Sequence, residues 1–323
     1  MKLSQLLKAI IVGIYLLSVS VLLQAQDTFI AATAIVEHPA LDAVRDGIQE
    51  FLYENGYSEK NLKYTYESAQ GQPAIAAQIA RKLVGEKPDV IVAIATPSAQ
   101  AAASAARGTD IPVIFSAVTD PVDAKIVSNI IKPEGNVTGL SDRVNVAQHL
   151  ILIKEILPDL KRLGVPYNPG EANAVSSIKV LKVAAKAMGI EIVEASAPKS
   201  SDVLLASKQL ANKVDAIYCI TDNTIITALE SVVKVGIDSQ VPVFAADTDS
   251  VQRGAIAAIG FDYHTLGRQT GGMILRVLKG EPISSIPVQV GQGTSLFVNP
   301  NMAAKMGVTV PETILKRATK IVE

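Results

Sequence analysis

The same pattern of strand, polar strand end and helix is written twice in this chain, and that repetition limits what it can fold into. Residues 89–100 read DVIVAIATPSAQ and residues 111–122 read IPVIFSAVTDPV. Residues 215–226 read DAIYCITDNTII and residues 241–251 read VPVFAADTDSV. In each pair an apolar strand ends in Thr and a helix follows. An x-Pro-Val-aromatic strand then ends near Thr and Asp. Two α/β halves with matching polar strand ends predict two lobes facing one cleft. Such a cleft suits ligand capture more than chemistry.

The rest of the chain keeps the alternation. Phe29–Val36 is a continuous apolar run, which predicts a parallel strand buried on both faces. Pro39 then suits the first turn of a helix, in which Leu41, Val44, Ile48, Phe51 and Leu52 recur at helical spacing. Further strands are predicted at Leu62–Glu67, Val90–Ala95, Val113–Ala117 and Asn136–Ser141. A helix near residues 146–157 leads away, and a second set of strands follows at Leu163–Tyr167, Ile190–Ala195, Ala216–Ile220, Val241–Ala245 and Ala255–Phe261. The fold class expected is α/β, two Rossmann-like lobes with parallel sheets joined by a multi-strand hinge. Residues 28–145 plus about 265–323 are expected to form the N-terminal lobe, and about 146–264 the C-terminal lobe.

Composition narrows the function classes. Hydrophobic residues make up 49% of the 323 and charged ones 19%, which provides a large core and argues against disorder. The net charge of −1 comes without any Lys/Arg-rich run, so nucleic acid is not an expected partner. Lys2 and Lys8 precede the apolar run Ala9–Leu23 and then Gln24-Ala25-Gln26, the layout of an export signal over residues 1–25. The expected location is therefore periplasmic, with no cysteine nearby for a lipid anchor. The alternative is an uncleaved anchor that makes the chain a membrane-held sensory module for a small solute.

Ligands of open α/β sheets bind outside the carboxyl ends of the strands. The candidate binding residues are the polar groups placed there. In the first half they are His38, Gln70, Thr96, Ser98, Ser116, Thr119 and Asp120. In the second they are Tyr167, Asn168, Glu171, Asn173, Thr221, Asp222, Asn223, Asp247 and Asp249. Thr96-Pro97-Ser98 opens a helix, where the dipole and free N–H groups can hold a carboxylate, although Thr and Ser also favour such positions simply as caps. Thr221-Asp222-Asn223 is the matching position and has the same two readings. Asp247 is the favoured partner of a ligand ammonium, and Asp249 is expected to cap the short helix that follows. Asn168 stands in Asn-Pro-Gly turn chemistry, with bracing of the loop as its other reading. Phe115, Tyr167 and Tyr218 are candidates for the wall of an apolar pocket, with core packing as the other reading of Phe115 and Tyr218.

Catalytic and metal signatures are not found. His38, His149 and His264 lie far apart, with no HExxH or CxxC spacing. Cys219 sits inside an apolar strand, where an inert thiol is expected. There is no GxGxxG after the first strand, no phosphate-binding loop and no GxSxG elbow. No cofactor, metal or catalytic residue is expected, and the chain is not expected to be an enzyme.

Several segments together carry a family resemblance. They are IVEHPALDAVRDG from Ile35, ATPSAQ from Ala95, FSAVTDPV from Phe115, GNVTGLSD from Gly135, YNPGEAN from Tyr167, TDNT from Thr221 and DTDSVQRGAIAAIGFDY from Asp247. The chain closely resembles the tryptophan/tyrosine-type substrate-binding proteins of ABC transporters, within the type I periplasmic binding fold, over about residues 28–320. The resemblance implies a monomeric, non-enzymatic binder that closes on one amino-acid-like ligand and delivers it to an ABC permease in the inner membrane. It also implies that the ligand carboxylate meets Thr96, Ser98 and Ser116, and the ammonium meets Asp247. The chain departs from the pattern at Ile220, where relatives often carry Pro, and at Pro166, where an aliphatic residue is common.

Overall fold

A computed structural model describes residues 27–323, so the export-signal expectation for residues 1–25 lies outside the described residues. The first lobe is a six-stranded, all-parallel sheet. Its strands are β1 (Thr28–Ala34), β2 (Leu62–Ser68), β3 (Val90–Ile94), β4 (Val113–Ser116) and β5 (Val137–Ser141), with β11 (Gln289–Val290) at one edge. The order is β11-β5-β4-β3-β1-β2. The apolar runs of β3 and β4 are buried throughout, as a parallel sheet covered by crossover helices requires.

The helix Pro39–Glu54 shows how the sequence sets this packing. His38 caps it, Pro39 opens it, and Leu41, Val44, Ile48 and Leu52 form one buried face. Each such side chain contributes about 1.5–3 kcal/mol when fully buried. That face lies against the helix Tyr263–Leu278. A Cβ on Gly47 would strike the His264 carbonyl, and one on Gly267 would strike that of Val44. The two glycines thus set how closely the helices approach.

The second lobe begins with the parallel strands β6 (Arg162–Tyr167), β7 (Glu191–Ser196), β8 (Ala216–Cys219) and β9 (Val243–Ala245), in the order β7-β6-β8-β9. A second, three-stranded sheet holds β10 (Ala257–Phe261), β12 (Thr294–Val298) and β13 (Lys320–Ile321). Ile256, just before β10, donates its N–H to the Val243 carbonyl at 2.7 Å and so ties this sheet to β9.

Each lobe has its own hydrophobic core. The chain passes between them three times: between β5 and the helix Val146–Ile156, between β10 and the helix Tyr263–Leu278, and between β11 and β12. The third passage corrects the expected boundary. Residues 265–290 do pack with the first lobe, but the segment from Thr294 onward returns to the second. The cause is the antiparallel pairing of β12 with β10, Ala257 opposite Val298. It carries Leu296, Val298, Met306 and Ile314 into the second core. Three crossings make a hinge of ordered strands and helix starts. Among the described residues no helix is long and apolar enough to cross a membrane.

Candidate functional site

Both parallel sheets point their carboxyl ends at the space between the lobes. There, residues from both lobes line a small inner cavity. The first lobe supplies His38, Thr96, Ala117, Thr119 and Asp142, and Tyr263 enters from the hinge. The second lobe supplies Asn173, Thr221, Asp222, Asn223 and Asp247. Ala95 and Ala117, at the ends of β3 and β4, have φ of 70° and 54°. For residues with a Cβ this left-handed backbone costs about 1–3 kcal/mol each and is typical of functional strand ends.

The side chains facing the cavity divide into braced and unbraced groups. Asp247 accepts the Ser250 N–H at 2.8 Å and the Ser250 hydroxyl at 2.6 Å. Asp222 accepts the N–H groups of Ile225 at 3.0 Å and Asn168 at 2.6 Å, so it caps its own helix and pins the next loop. Asp142 accepts the Tyr263 hydroxyl on Oδ2 at 2.8 Å, while its Oδ1 is buried without a hydrogen-bond partner. Thr96 Oγ1 and Asn173 Oδ1 are likewise buried and unpartnered. Three polar atoms, from both lobes, therefore face one cavity with their hydrogen bonds unmade. Each such atom in a native interior calls for a partner, whether water, ion or ligand.

Burial pushes the pKa of Asp142, Asp222 and Asp247 upward; Glu171 adds to the rise at Asp222, and Asp247 adds to that at Asp142. The one basic side chain lining the cavity, His38, is held down to about 4 by burial and then by the Arg253 charge, so it is neutral at pH 7. Three acids and no lysine or arginine line the inner cavity.

Glu171 organises the second-lobe side. Its Oε2 accepts from Asn173 Nδ2 at 3.0 Å, Asn223 N at 3.1 Å and Asn223 Nδ2 at 2.6 Å. Its Oε1 accepts from Thr224 N at 3.0 Å and the Thr224 hydroxyl at 2.8 Å. Asn173 also donates to the Thr221 carbonyl at 2.8 Å. These bonds orient both asparagines toward the cleft.

Hydrogen bonds also join the lobes. The Thr119 and Thr221 hydroxyls lie 3.2 Å apart. The Ser176 hydroxyl donates to Asp123 at 3.1 Å, and Lys179 reaches the same oxygen at 3.5 Å. The structure is closed.

Of the candidate residues, His38, Thr96, Thr119, Asn173, Thr221, Asp222, Asn223 and Asp247 meet at the inner cavity. Gln70 and Asn168 line a larger outer groove, which shares Asn223 with the inner cavity. Asn168 also braces its loop, with Oδ1 accepting the Gly170 N–H at 2.8 Å. Ser98 is buried one step further along its helix, with Oγ unpartnered. Ser116 is bonded instead to the Thr270 hydroxyl at 2.7 Å, inside the first lobe. Phe115 packs over Gly139 in the first core rather than walling the cleft, and Tyr167 packs against the second core. Asp120 turns away to Arg143 at 3.0 Å. Asp249 lies in the first turn of its short helix, and Asp247 is the residue whose carboxylate receives that helix's N–H. Tyr218 is buried in the second core, its hydroxyl 2.6 Å from His149 Nδ1. Burial of Cys219 raises its thiol pKa, consistent with an inert core residue.

Sequence reasoning missed Asp142 and Tyr263 as site residues. Asp142 follows β5 and was within reach of the same strand-end rule. Tyr263 follows the predicted strand Ala255–Phe261 by two residues, but its meeting with Asp142 arises only through the hinge crossing.

A family model described as ABC transporter substrate binding protein matches residues 29–322. The chain is 39% identical over 271 residues, 84% of its length and 78% of the relative's, to a tyrosine-binding protein of Clostridioides difficile. It is similar to the crystal structure of an ABC domain in complex with L-Trp from Streptococcus pneumonia, with 35% identity, a TM-score of 0.88, and coverage of 92% of this chain and 100% of that one. It is also similar to the ligand-free, open structure of a substrate-binding protein with adhesive properties from Clostridium difficile, with 36% identity, a TM-score of 0.68, and coverage of 91% and 99%.

Proposed function

The chain belongs to the ABC transporter substrate-binding protein family, and from that premise we propose that it captures an aromatic amino acid, of the tryptophan or tyrosine kind, as the periplasmic receptor of an importer. The observation that carries this reading is the meeting of Thr96 Oγ1, Asn173 Oδ1 and Asp142 Oδ1, all buried and unpartnered, at one cavity between the lobes. The ammonium lies against Asp142 and Asp247. The carboxylate lies toward Thr96 and the start of its helix, where the dipole favours an anion. His38, being neutral, donates or accepts there without competing for the ammonium.

Function follows from completing both lobes at once. Only the closed form brings Thr96 and Asp142 of one lobe to Asn173 and Asp247 of the other. A ligand that bonds to both therefore shifts the population toward closure. At nearly equal identity the closer match to the L-Trp complex than to the open, ligand-free structure supports the same reading. The closed form is then the state a permease receives. The chain binds its ligand and releases it unchanged.

A thermal-shift screen of the ligand-stripped protein against the common amino acids tests this. Ligand at about 100 times its dissociation constant adds about 2.7 kcal/mol, a readily visible rise in melting temperature. Tryptophan or tyrosine is expected to give the largest rise. No rise with any amino acid contradicts the reading.

A further inference from the structure

Asp142 and Asp247 come from different lobes and line the same inner cavity, both buried. Their oxygens are not equally committed. Both oxygens of Asp247 accept bonds from Ser250. Asp142 accepts the Tyr263 hydroxyl on Oδ2 and has no partner on Oδ1. Asn173 Oδ1, from the second lobe, is another buried acceptor of this cavity without a donor. Two acceptors, one from each lobe, thus lack a proton donor in the closed cleft.

The charged and titratable groups around the two acids do not supply one. Asp222 holds backbone N–H groups on both oxygens, and Glu171 beside it is an acid. His38 is neutral at pH 7. Arg253, whose charge reaches Asp247, is held by Glu230 at 2.8 Å. Arg143, next to Asp142 in the chain, is held by Asp120 at 3.0 Å. Asp249 and Asp262 add negative charge on the Asp247 side, and Lys320, which faces Asp249, bonds to Gln252 at 3.2 Å. Closing the empty cleft therefore strips water from two carboxylates with no cation at hand to offset them. A proton on one of them removes that cost. Asp142 Oδ1 is the oxygen free to take it, and burial, to which Asp247 adds, strengthens its hold on a proton.

We propose that the empty protein closes with a proton on Asp142 Oδ1, and that this proton and the ligand's ammonium are alternative occupants of that oxygen. The proton is taken from solvent as the lobes close and returns to solvent when an ammonium arrives. The competition rests on the amino-acid reading given above; the proton-linked closure rests only on the two acids. Acid then raises the closed, empty population and weakens capture, so the cleft reports pH as well as ligand.

Small-angle X-ray scattering of the ligand-stripped protein between about pH 8 and about pH 5 tests the closure. One linked proton raises the closed-to-open ratio by up to about tenfold per pH unit. The wild-type radius of gyration is expected to shrink as pH falls. Asp142→Asn keeps the shape without the charge, so it is expected to be the more compact protein at about pH 8 and to lose the pH response. A wild-type radius that does not change with pH overturns the proposal, and so does a response that survives in Asp142→Asn. Calorimetric titration with L-tyrosine in two buffers of different ionisation enthalpy tests the competition. At about pH 5, up to about one proton is expected to be released per tyrosine bound. Tyrosine binding with no proton released overturns the competition and leaves the amino-acid reading standing. No binding of tyrosine overturns that reading and the competition with it, while the scattering still decides the proton-linked closure.

Discussion

The Tyr263 hydroxyl donates to Oδ2 of Asp142 at 2.8 Å and leaves Oδ1 of the same carboxylate facing the cleft. The pair joins the end of β5 to the first turn of the helix by which the chain re-enters the first lobe. It fixes the Asp142 carboxylate at the hinge, where each lobe can reach the same ligand atom. Asp247, by contrast, has a bond to Ser250 on each oxygen. Asp142 is thus the less satisfied of the two acids, and the one with more to gain from a ligand ammonium.

Asp142→Asn removes the charge and keeps the shape. Breaking one side of a buried charge pair costs about 2–5 kcal/mol, so the affinity for tryptophan or tyrosine falls about 30-fold or more by calorimetry. The ligand-free melting temperature is unchanged or higher, because burial already disfavours the charged form. Asp120→Asn, whose partner is the exposed Arg143, is the control and leaves the affinity within about twofold.

Glu171→Gln replaces one acceptor oxygen with a donor that faces N–H groups and hydroxyl protons. The variant is expected to lose about 1–3 kcal/mol of unfolding free energy in urea titrations. Ligand affinity falls with it, since Asn173 and Asn223 lose the acceptor that orients them. Unchanged stability would mean that the hub does not organise this side of the cleft.

Thr119→Val and Thr221→Val each break the hydroxyl contact that spans the lobes at 3.2 Å. A hydrogen bond of this kind is worth about 0.5–1.5 kcal/mol, and it exists only in the closed form. Stopped-flow release should therefore be up to about tenfold faster, with the melting temperature of the ligand-free protein little changed.

The two buried histidines set a pH dependence. His38 and His149 are both held down to about 4, mainly by burial, from 6.5. Between pH 6.5 and 4 the unfolded chain binds protons that the folded chain refuses. Their contribution to stability is thus complete above pH 6.5 and declines as pH falls through that window. The raised pKa values of Asp142, Asp222 and Asp247 act in the opposite sense, because protonating them relieves buried charge. His149→Gln should lessen the acid-side loss by up to about 1.4 kcal/mol per pH unit, the effect of one proton. Parallel stability curves for variant and wild type would assign the acid sensitivity to other groups.

Much of the fold was legible because buried parallel strands leave continuous apolar runs, and β1, β3, β4 and β8 formed where those runs stand. Thr96, Asn173, Thr221, Asp222 and Asp247 were legible for a related reason: the carboxyl ends of parallel strands must face the cleft. Facing the cleft is not the same as reaching it. Ser116 is held by Thr270 and Phe115 by the space over Gly139, and both partners come from distant parts of the chain. The return of residues 294–323 to the second lobe was equally hidden. An antiparallel pairing between β10 and β12 has no local signature in either strand.

The most direct test of the central claim is calorimetric titration of the ligand-stripped protein with L-tyrosine, tyramine and 3-(4-hydroxyphenyl)propionate. The three share a ring and differ in whether they carry both the ammonium and the carboxylate. If the cleft reads a zwitterion across two lobes, tyrosine binds and each truncated analogue loses about 2–5 kcal/mol, roughly 30-fold or more, because a buried group is left unpaired. If either analogue binds as tightly as tyrosine, the group it lacks is not recognised, and the assignment of Asp142 with Asp247 or of the Thr96 helix start is contradicted accordingly.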